Sequence, residues 1–297
     1  MFDEFKSAFQ RSNNAHVQLI IINVVIFIVI GVISVVGEIS GNTVFSDFIY
    51  NQFTIPPTIA EYLSRPWTLI TYMFAHSRWD IFHILFNMLV FYWFGRLFVE
   101  YLGSAKLTAL YILGGLAGGI FYLLMFNTVP FYMERSGFSG MVGASAAIYA
   151  IVVATAALLP NYTFFLLFFG PVRIKYIAGF YVVISFLGTT QSNAGGNLAH
   201  LGGALMGFIY LKQLQAGINW GSWITATLEW MQDLFKSKPK VKVTYRSEEK
   251  ATKKAGKVPG SKASQAEIDA ILDKISDRGY ESLTKEEKEK LFNASKK

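Results

Sequence analysis

The sequence predicts an all-α membrane protein with six transmembrane helices and a helical hairpin at its C-terminal end. Its 297 residues are 53% hydrophobic and 16% charged, whereas a soluble domain has about 25% charged residues. The charge is unevenly distributed, because residues 213–297 hold seventeen of the 27 Lys and Arg and twelve of the 20 Asp and Glu. Residues 1–212 contain apolar runs long enough to cross a bilayer as helices. We therefore expect a membrane domain followed by a soluble tail.

The first predicted elements are a polar lead over residues 1–18 and a spanning helix over 19–36. Residues 38–81 contain several prolines and scattered aromatic residues, and they are too polar to span and too apolar to form a free loop. We expect this segment to lie at the membrane interface, where aromatic side chains anchor well. The remaining five spanning helices of the membrane domain 19–212 are predicted at about 82–101, 106–126, 143–159, 174–190 and 195–211.

The distribution of positive charge predicts the orientation of these helices. An even number of spans places both termini on one side, and Lys and Arg are more frequent on that side, so the positive-inside rule predicts cytoplasmic termini. The same rule accounts for the net charge of +7, and we therefore predict no nucleic-acid partner. A basic inner face without a cleavable signal peptide favours a bacterial inner membrane and leaves a eukaryotic organelle open.

The last 85 residues are predicted in two parts. Residues 213–264 are expected to be an interfacial segment and a basic linker rich in Lys, Ser, Gly and Pro. Residues 265–297 are expected to form a small helical hairpin, because Gly279 separates two stretches with apolar residues at helical spacing. Thr284 and Glu287 have the spacing of a capping box. The tail has no catalytic or metal-binding cluster, so we expect an interaction or packing role.

The candidate functional residues are four polar side chains inside apolar segments, namely His83, Asn87, Ser145 and His200. Polar residues inside spanning helices are costly and often functional. His83 and Asn87 are four residues apart, so they share one face of a helix. The second, fourth and sixth spans run in the same direction, and all four residues lie in the first two turns of their spans. The sequence therefore predicts that they meet in one pocket near the outer surface.

These residue types suit nucleophilic catalysis. A serine becomes a good nucleophile only when a base removes its proton, and the imidazole of His200 is suited to do this for Ser145. The oxyanion that follows needs donors, which the side chains of Asn87 and His83 and the backbone N–H of Ser145 are able to supply. The pattern places no Asp or Glu where it would orient His200, so a dyad is favoured over a triad.

Plainer roles remain open for the same residues. Ser145 lies among small residues and is able to serve in helix packing, and His83 with Asn87 is able to form a polar clamp between helices. Two histidines are also able to ligate zinc, but the helices supply no third ligand and only His76, in the outer loop, is placed to approach. We therefore predict no metal and no cofactor. The absence of cysteine excludes disulfides, thiolate catalysis and cysteine metal sites.

The motifs taken together resemble the rhomboid family of intramembrane serine proteases. The stretches that carry this resemblance are 83-HILFN-87, 143-GAS-145, 199-AHLGG-203 followed by Gly207, 65-RPWTLITYMFAH-76 and 95-GRLFVEYLGSAKL-107. Each motif is weak by itself, but their order and their placement on the second, fourth and sixth spans are specific. The resemblance covers about residues 15–212 and implies a rhomboid-like helical bundle. It is silent about residues 213–297.

The resemblance implies a role for each catalytic candidate. Ser145 would be the nucleophile and His200 the base, with His83, Asn87 and the Ser145 backbone in the oxyanion site. The implied substrates are single-pass transmembrane proteins, cleaved near the outer face of the lipid bilayer. The residues implied in substrate contact or structural support are Gly143, Gly203, Gly207, Arg65 and Trp67.

Two positions depart from the family pattern. Ala146 follows the serine where glycine is common, and Arg65 precedes Trp67 where the family has the reverse order. A non-catalytic relative that binds transmembrane helices is the alternative function, although such a protein has no evident need for both Ser145 and His200. A small transporter is disfavoured, because the sequence shows neither inverted repeats nor charged residues at the midplane.

Overall fold

Each of the six apolar segments forms a helix in the computed structural model, which describes residues 13–134, 140–235 and 265–294. Contacts divide the chain into two units, residues 1–238 and 239–297. In chain order, the helices and strands in the described part of the first unit are α1 (Ala15–Ile39), α2 (Val44–Asn51), α3 (Ile59–Ser64), α4 (Thr68–Thr71), a 3₁₀ turn (Tyr72–Phe74), α5 (Ile81–Leu102), α6 (Ser104–Thr128), α7 (Pro130–Met133), α8 (Ser145–Leu158), β1 (Thr163–Leu166), β2 (Gly170–Arg173), α9 (Ile174–Gly188), α10 (Ala194–Gln215) and α11 (Ser222–Phe235).

Among the described residues, three helices are long and apolar enough to cross a membrane by length and composition, namely α1, α5 and α6. Two further helices, α8 and α9, are apolar but shorter. The last of the six, α10, has 22 residues and includes polar residues such as Asn197 and His200. The helix α1 begins at Ala15 rather than at Leu19, so it takes in the end of the segment that was predicted as a polar lead. Residues 1–12 of that lead lie outside the described residues.

The segment 38–81 is folded against the helices rather than extended. It contains α2, α3, α4 and the 3₁₀ turn. The side chain of Asn127, near the end of α6, binds this segment at two points, because its amide donates to the Pro57 carbonyl at 3.0 Å and its oxygen accepts from the Ile59 N–H at 3.0 Å. Ile55 and Met141 also exchange two backbone hydrogen bonds of 2.9 Å. The segment is therefore tied to the residues that lead into α8.

Three helices with small residues at their contacts form the centre of the membrane domain. A Cβ built on Gly203 of α10 would fall on the carbonyl oxygen of Ala146 in α8, and one built on Gly207 would fall on the carbonyl oxygen of Ala150. The backbones of α8 and α10 therefore touch, as small residues allow in membrane helix pairs. In the run 114-GGLAGG-119 of α6, Gly114 packs against Ala150 of α8, and Gly118 packs against the methyl group of Ala146 in α8 and the carbonyl group of Ala199 in α10.

The expectation of an all-α fold is wrong for residues 163–173, which form a two-stranded antiparallel sheet. Thr163 pairs with Arg173 and Leu166 with Gly170. The run 163-TFFLLFFGPV-172 consists largely of β-forming aromatic and branched residues, and Gly170 adopts a φ of +67° at the turn. This run lies between two predicted helices, and no strand was predicted for it. The side chains at the tip are strongly exposed, at 83% for Phe165, 89% for Leu167, 87% for Phe168 and 79% for Phe169.

The segment predicted as interfacial contains a helix that the sequence analysis did not identify. A turn at Gly217, where φ is +82°, separates α10 from α11. Ile224 of α11 is buried, whereas Trp223 and Trp230 are 57% and 62% exposed. Glu229 and Asp233 lie on another side of the helix by their spacing. An apolar face with two tryptophans is typical of a helix that lies in a membrane interface. The basic linker 236–264 lies outside the described residues.

The described part of the second unit contains two helices, α12 (Gln265–Arg278) and α13 (Lys285–Ala294), joined by a 3₁₀ turn over Tyr280–Ser282. Gly279 has a φ of +76° between them. The Thr284 N–H donates to the Glu287 carboxylate at 2.8 Å, and the Glu287 N–H donates to the Thr284 hydroxyl at 3.3 Å, which is the reciprocal pattern of a capping box. Lys274 of α12 pairs with Glu287 at 2.9 Å and joins the two helices.

Candidate active site

Ser145 is the first residue of α8, and its hydroxyl lies 2.7 Å from Nε2 of His200 in α10. The backbone turn that leads into Ser145 depends on Gly143. Its φ of +138° is a conformation that residues with a side chain rarely adopt. The N–H of Gly143 donates to the Tyr72 carbonyl at 3.1 Å, which ties the turn to the 3₁₀ segment. Chain direction and helix contact thus bring the predicted nucleophile and base together.

The imidazole of His200 is held by two more residues. Its Nδ1 lies 3.0 Å from the hydroxyl of Ser185 in α9, and its ring stacks on Tyr149 with centroids 4.1 Å apart and an interplanar angle of 11°. Neither Ser185 nor Tyr149 was identified from the sequence. A sequence feature could have identified each of them. Ser185 is a polar residue inside an apolar helix, and Tyr149 is one turn from Ser145 on the same face.

His83 and Asn87 lie on the first two turns of α5, beside the turn that contains Gly143. A Cβ built on Gly143 would lie 3.6 Å from Cε1 of His83 and 3.6 Å from the Ser145 hydroxyl. Asp80 caps α5, because its carboxylate accepts the His83 N–H at 2.9 Å. The Asn87 amide donates to the His83 carbonyl at 3.0 Å, which uses one of its two hydrogens.

These four predicted residues line one cavity of about 440 Å³. The cavity is also lined by aromatic and aliphatic side chains, among them Phe86, Val90 and Tyr181. A second cavity of about 850 Å³ shares Asp80, His83 and Asn193 with the first, and polar side chains make up a similar share of its lining. The two cavities therefore adjoin, and the polar side chains that line both suit an approach of water to the site. A third cavity of about 580 Å³ shares Val90 and Tyr181 and is lined by apolar residues of α5, α9 and the sheet.

The other sequence-predicted residues support the site from a distance. Gly203 and Gly207 set the close contact between α8 and α10. Arg65 donates to the Asn51 carbonyl at 2.9 Å, and the Trp67 indole donates to the Gln52 side chain at 3.2 Å. Neither Arg65 nor Trp67 is among the described residues that line the 440 Å³ cavity. Their contacts connect α2 to the start of α4, so they hold the segment 38–81 together.

His76 is buried beside His83, with ring centroids 5.5 Å apart. Neither of its ring nitrogens has a hydrogen-bond partner among the described residues. Burial, together with the smaller effect of the neighbouring His83, lowers the pKa of His76 to about 3. Within the described part of the chain, no group of three or more His, Cys, Asp or Glu residues is placed to hold a metal ion.

The arrangement is able to carry out acyl transfer. A hydroxyl in contact with an imidazole, two polar side chains on the facing helix and an approach for water are what such chemistry requires. The proton positions follow from the contacts. If the Ser145 hydroxyl donates to Nε2 of His200, the neutral ring carries its proton on Nδ1 and donates it to Ser185.

Comparisons with known proteins identify the family of this chain. The profile of the Rhomboid domain matches residues 63–215, and that of a family of unknown function, DUF6576, matches residues 261–297. The chain is 35% identical over 181 residues to RHOMBOID-like protein 12, mitochondrial, of Arabidopsis thaliana, covering 57% of this chain and 52% of that protein. It is 28% identical over 159 residues to Rhomboid protein 1, mitochondrial, of Saccharomyces cerevisiae, covering 50% of this chain and 42% of that protein. The chain thus spans about half the length of the curated relatives it matches.

Proposed function

This chain belongs to the rhomboid family, and on that basis we propose that it is an intramembrane serine endopeptidase. The proposed substrates are single-pass transmembrane proteins, cleaved near the outer face of the membrane. The observation that carries the proposal is the 2.7 Å contact between the Ser145 hydroxyl and the His200 imidazole inside a cavity. A protein that only bound transmembrane helices would have no need of this pair.

In the proposed reaction the Ser145 oxygen attacks the carbonyl carbon of the scissile peptide bond while His200 Nε2 takes the hydroxyl proton. The tetrahedral intermediate then collapses, and the C–N bond breaks as His200 gives that proton to the leaving nitrogen. Water next attacks the acyl-enzyme ester, again with His200 as base, and releases the carboxylic acid and free Ser145. No step requires a cofactor.

The negative oxygen of each tetrahedral intermediate needs donors placed before the reaction starts. We assign this role to the Ser145 backbone N–H at the N-terminus of α8, to the Asn87 amide and to the His83 imidazole. The positive end of the α8 dipole adds to their effect. His83 and Asn87 lie on a different helix from Ser145, so the substrate carbonyl would be held between α5 and α8.

We also propose that all six helices α1, α5, α6, α8, α9 and α10 cross the membrane, with both termini on the cytoplasmic side. A short helix is tolerated at α8 because other helices surround it, and most of its residues are buried within the protein. The membrane location itself is supported by the family and by the apolar helices. A bacterial inner membrane has no support from the two curated relatives, which both carry mitochondrial names.

A fluorophosphonate probe tests the proposal, because it reacts covalently with activated serines and needs no knowledge of the substrate. The full chain is purified in detergent as wild type, Ser145→Ala and His200→Ala. Ser34→Ala is the matched control, since Ser34 is a buried serine of α1 and does not line the 440 Å³ cavity. We expect labelling of the wild type and of Ser34→Ala only. A folded wild type that stays unlabelled would reject the protease and favour a protein that binds transmembrane helices.

A further inference from the structure

Ser185 makes a contact that the proposed dyad does not include. Its side chain is completely buried in α9, and its hydroxyl lies 3.0 Å from Nδ1 of His200. The same hydroxyl donates to the Tyr149 hydroxyl at 2.9 Å. Ser185 therefore lies between two side chains that themselves contact each other by ring stacking.

The directions of these hydrogen bonds are mutually consistent. The neutral imidazole has one N–H donor and one acceptor nitrogen. When Nε2 accepts the Ser145 proton, Nδ1 must be the donor, and the acceptor within reach is the Ser185 oxygen. Ser185 is then free to donate its own hydrogen to Tyr149, as its position indicates. A continuous chain of hydrogen bonds thus runs from Ser145 through His200 and Ser185 to Tyr149.

We infer that Ser185 is a positioning residue of the proposed protease, which holds His200 in the Nδ1-protonated tautomer and orients its ring toward Ser145. The role corresponds to the acid of a triad, but a neutral hydroxyl fills it. The described groups that share the cavity with His200 include Tyr149 on α8, Tyr181 on α9, and Asp80 and His83 at the start of α5. Among the hydroxyl and carboxylate oxygens of residues 13–134, 140–235 and 265–294, only that of Ser185 is within hydrogen-bond distance of Nδ1.

The inference has an energetic consequence. During acylation His200 becomes an imidazolium, and both of its nitrogens are then donors. A hydrogen bond from a charged donor is about twice as strong as a neutral one, so the Ser185 oxygen stabilises the protonated ring more than the neutral ring. Loss of this oxygen would leave a buried N–H unpaired at the step where charge develops. It would also release the ring to rotate or change tautomer.

The inference rests on the proposed function, and the test uses one readout that depends on activity and one that does not. The first is the rate of fluorophosphonate labelling of the full chain, measured against pH for wild type, Ser185→Ala, Ser185→Thr and the control Ser34→Ala. We expect kinact of Ser185→Ala to fall about tenfold with KI changed less than twofold. The acidic limb of its pH profile should move to lower pH, because the protonated base has lost its partner. Ser185→Thr keeps a hydroxyl and should recover most of the rate.

The second readout is the ¹⁵N imidazole spectrum of histidine-labelled protein, in which the His200 signals are those missing from His200→Gln. We expect a single Nδ1-protonated tautomer in the wild type and a mixture in Ser185→Ala. A Ser185→Ala protein that matches Ser34→Ala in rate and tautomer would overturn the inference. So would an equal loss of rate in the Ala and Thr variants with the tautomer unchanged, since that indicates packing alone. If the wild type is not labelled, the proposed function fails, while the tautomer still decides the role of Ser185.

Discussion

Ala146 and Gly118 face each other across the contact between α8 and α6, and a Cβ built on Gly118 would lie 2.5 Å from the Cβ of Ala146. Ala146 is 1% exposed and is not among the described residues that line the 440 Å³ cavity. The methyl group that departs from the family pattern therefore occupies the space above a glycine of the neighbouring helix. It lies in a helix contact rather than in the path of a substrate.

Ala146→Gly should therefore leave the fluorophosphonate labelling rate within about threefold of wild type. Stability should fall by about 1 kcal/mol, because glycine has a lower helix propensity than alanine. Thermal unfolding in detergent measures the second effect. A large gain in labelling rate, with no change in stability, would show that the methyl group narrows the site after all.

Gly118→Ala should be strongly destabilising, because the new Cβ would meet both Ala146 Cβ and the Ala199 carbonyl oxygen, the latter at 2.7 Å. We expect a loss of about 2 kcal/mol or more and a marked fall in labelling. The double variant Gly118→Ala/Ala146→Gly should recover part of the stability, since one of the two clashes is removed. Strict additivity of the single changes would contradict direct contact between the two residues.

Gly203→Ala should abolish labelling, because its Cβ would fall on the Ala146 carbonyl and push α10, with His200, away from Ser145. The matched control is Gly179→Ala in α9, where a Cβ would meet nothing within 4 Å. The control should keep its activity and be as stable as wild type or slightly more so, since alanine favours the helix. Equal behaviour of the two variants would disprove the close contact between α8 and α10.

Asn87→Ala should reduce turnover by about 100-fold, the usual effect of losing one oxyanion donor. The loss should be smaller than that of Ser145→Ala, because the Ser145 backbone N–H and His83 remain. Cleavage of fluorophore-labelled casein by the purified full chain measures this, with the fluorophosphonate rate as a second check. A loss as complete as that of Ser145→Ala would assign Asn87 a different role.

The buried His76 should make the protein less stable in mild acid. The folded-state pKa is about 3 and the unfolded value is 6.5. Between these two pH values, His76 is protonated in the unfolded chain but not in the folded protein. The contribution of neutral His76 to the free energy of unfolding is therefore fully present above pH 6.5 and is lost as the pH decreases toward 3. Thermal unfolding of wild type should show a larger decrease from pH 7.5 to pH 5 than His76→Leu does. Identical decreases would mean that the titration of another group causes the loss of stability. Between pH 7.5 and 8.5, the melting temperatures of the two proteins should change alike.

The second unit offers a local stability test. Thr284→Ala removes the hydroxyl that accepts the Glu287 N–H at the start of α13, and loss of such a cap costs about 1 kcal/mol. Amide exchange over residues 285–294 of the full chain should accelerate by roughly fivefold, while exchange in α8 and α10 should stay unchanged. The hydrogen bond from the Thr284 backbone and the ion pair with Lys274 hold the pKa of Glu287 below its usual range. Protection of α13 should therefore also weaken as the pH falls through that lowered pKa.

The sequence was most informative where the start of a helix and a polar residue coincide. The sequence predicts a common depth for Ser145, His200, His83 and Asn87. This depth depends only on the direction of each helix and on the turn in which each residue lies. Ser185 was missed because an acid was the expected partner of His200. A serine in an apolar helix usually serves in helix packing. The sheet at 163–173 was missed because its strands connect two predicted helices. The helix α11 was missed because its apolar residues alternate with acids and threonines in a segment described only by composition.

The sheet formed by β1 and β2 also bears on the depth of Ser145 in the membrane. A two-stranded sheet leaves the outer backbone groups of both strands without strand partners, and such groups cannot enter hydrocarbon without a large cost. In the proposed six-span arrangement, the strands would therefore lie where headgroups or water reach them. The 14 residues of α8 and the four residues 159–162 separate the sheet from Ser145, and at 1.5 Å per residue α8 is about 21 Å long. In a hydrocarbon core about 30 Å thick, an α8 that starts from the level of the sheet and crosses straight would place the Ser145 hydroxyl about 9 Å below the opposite surface, so that a peptide bond would have to leave the headgroup region to reach it.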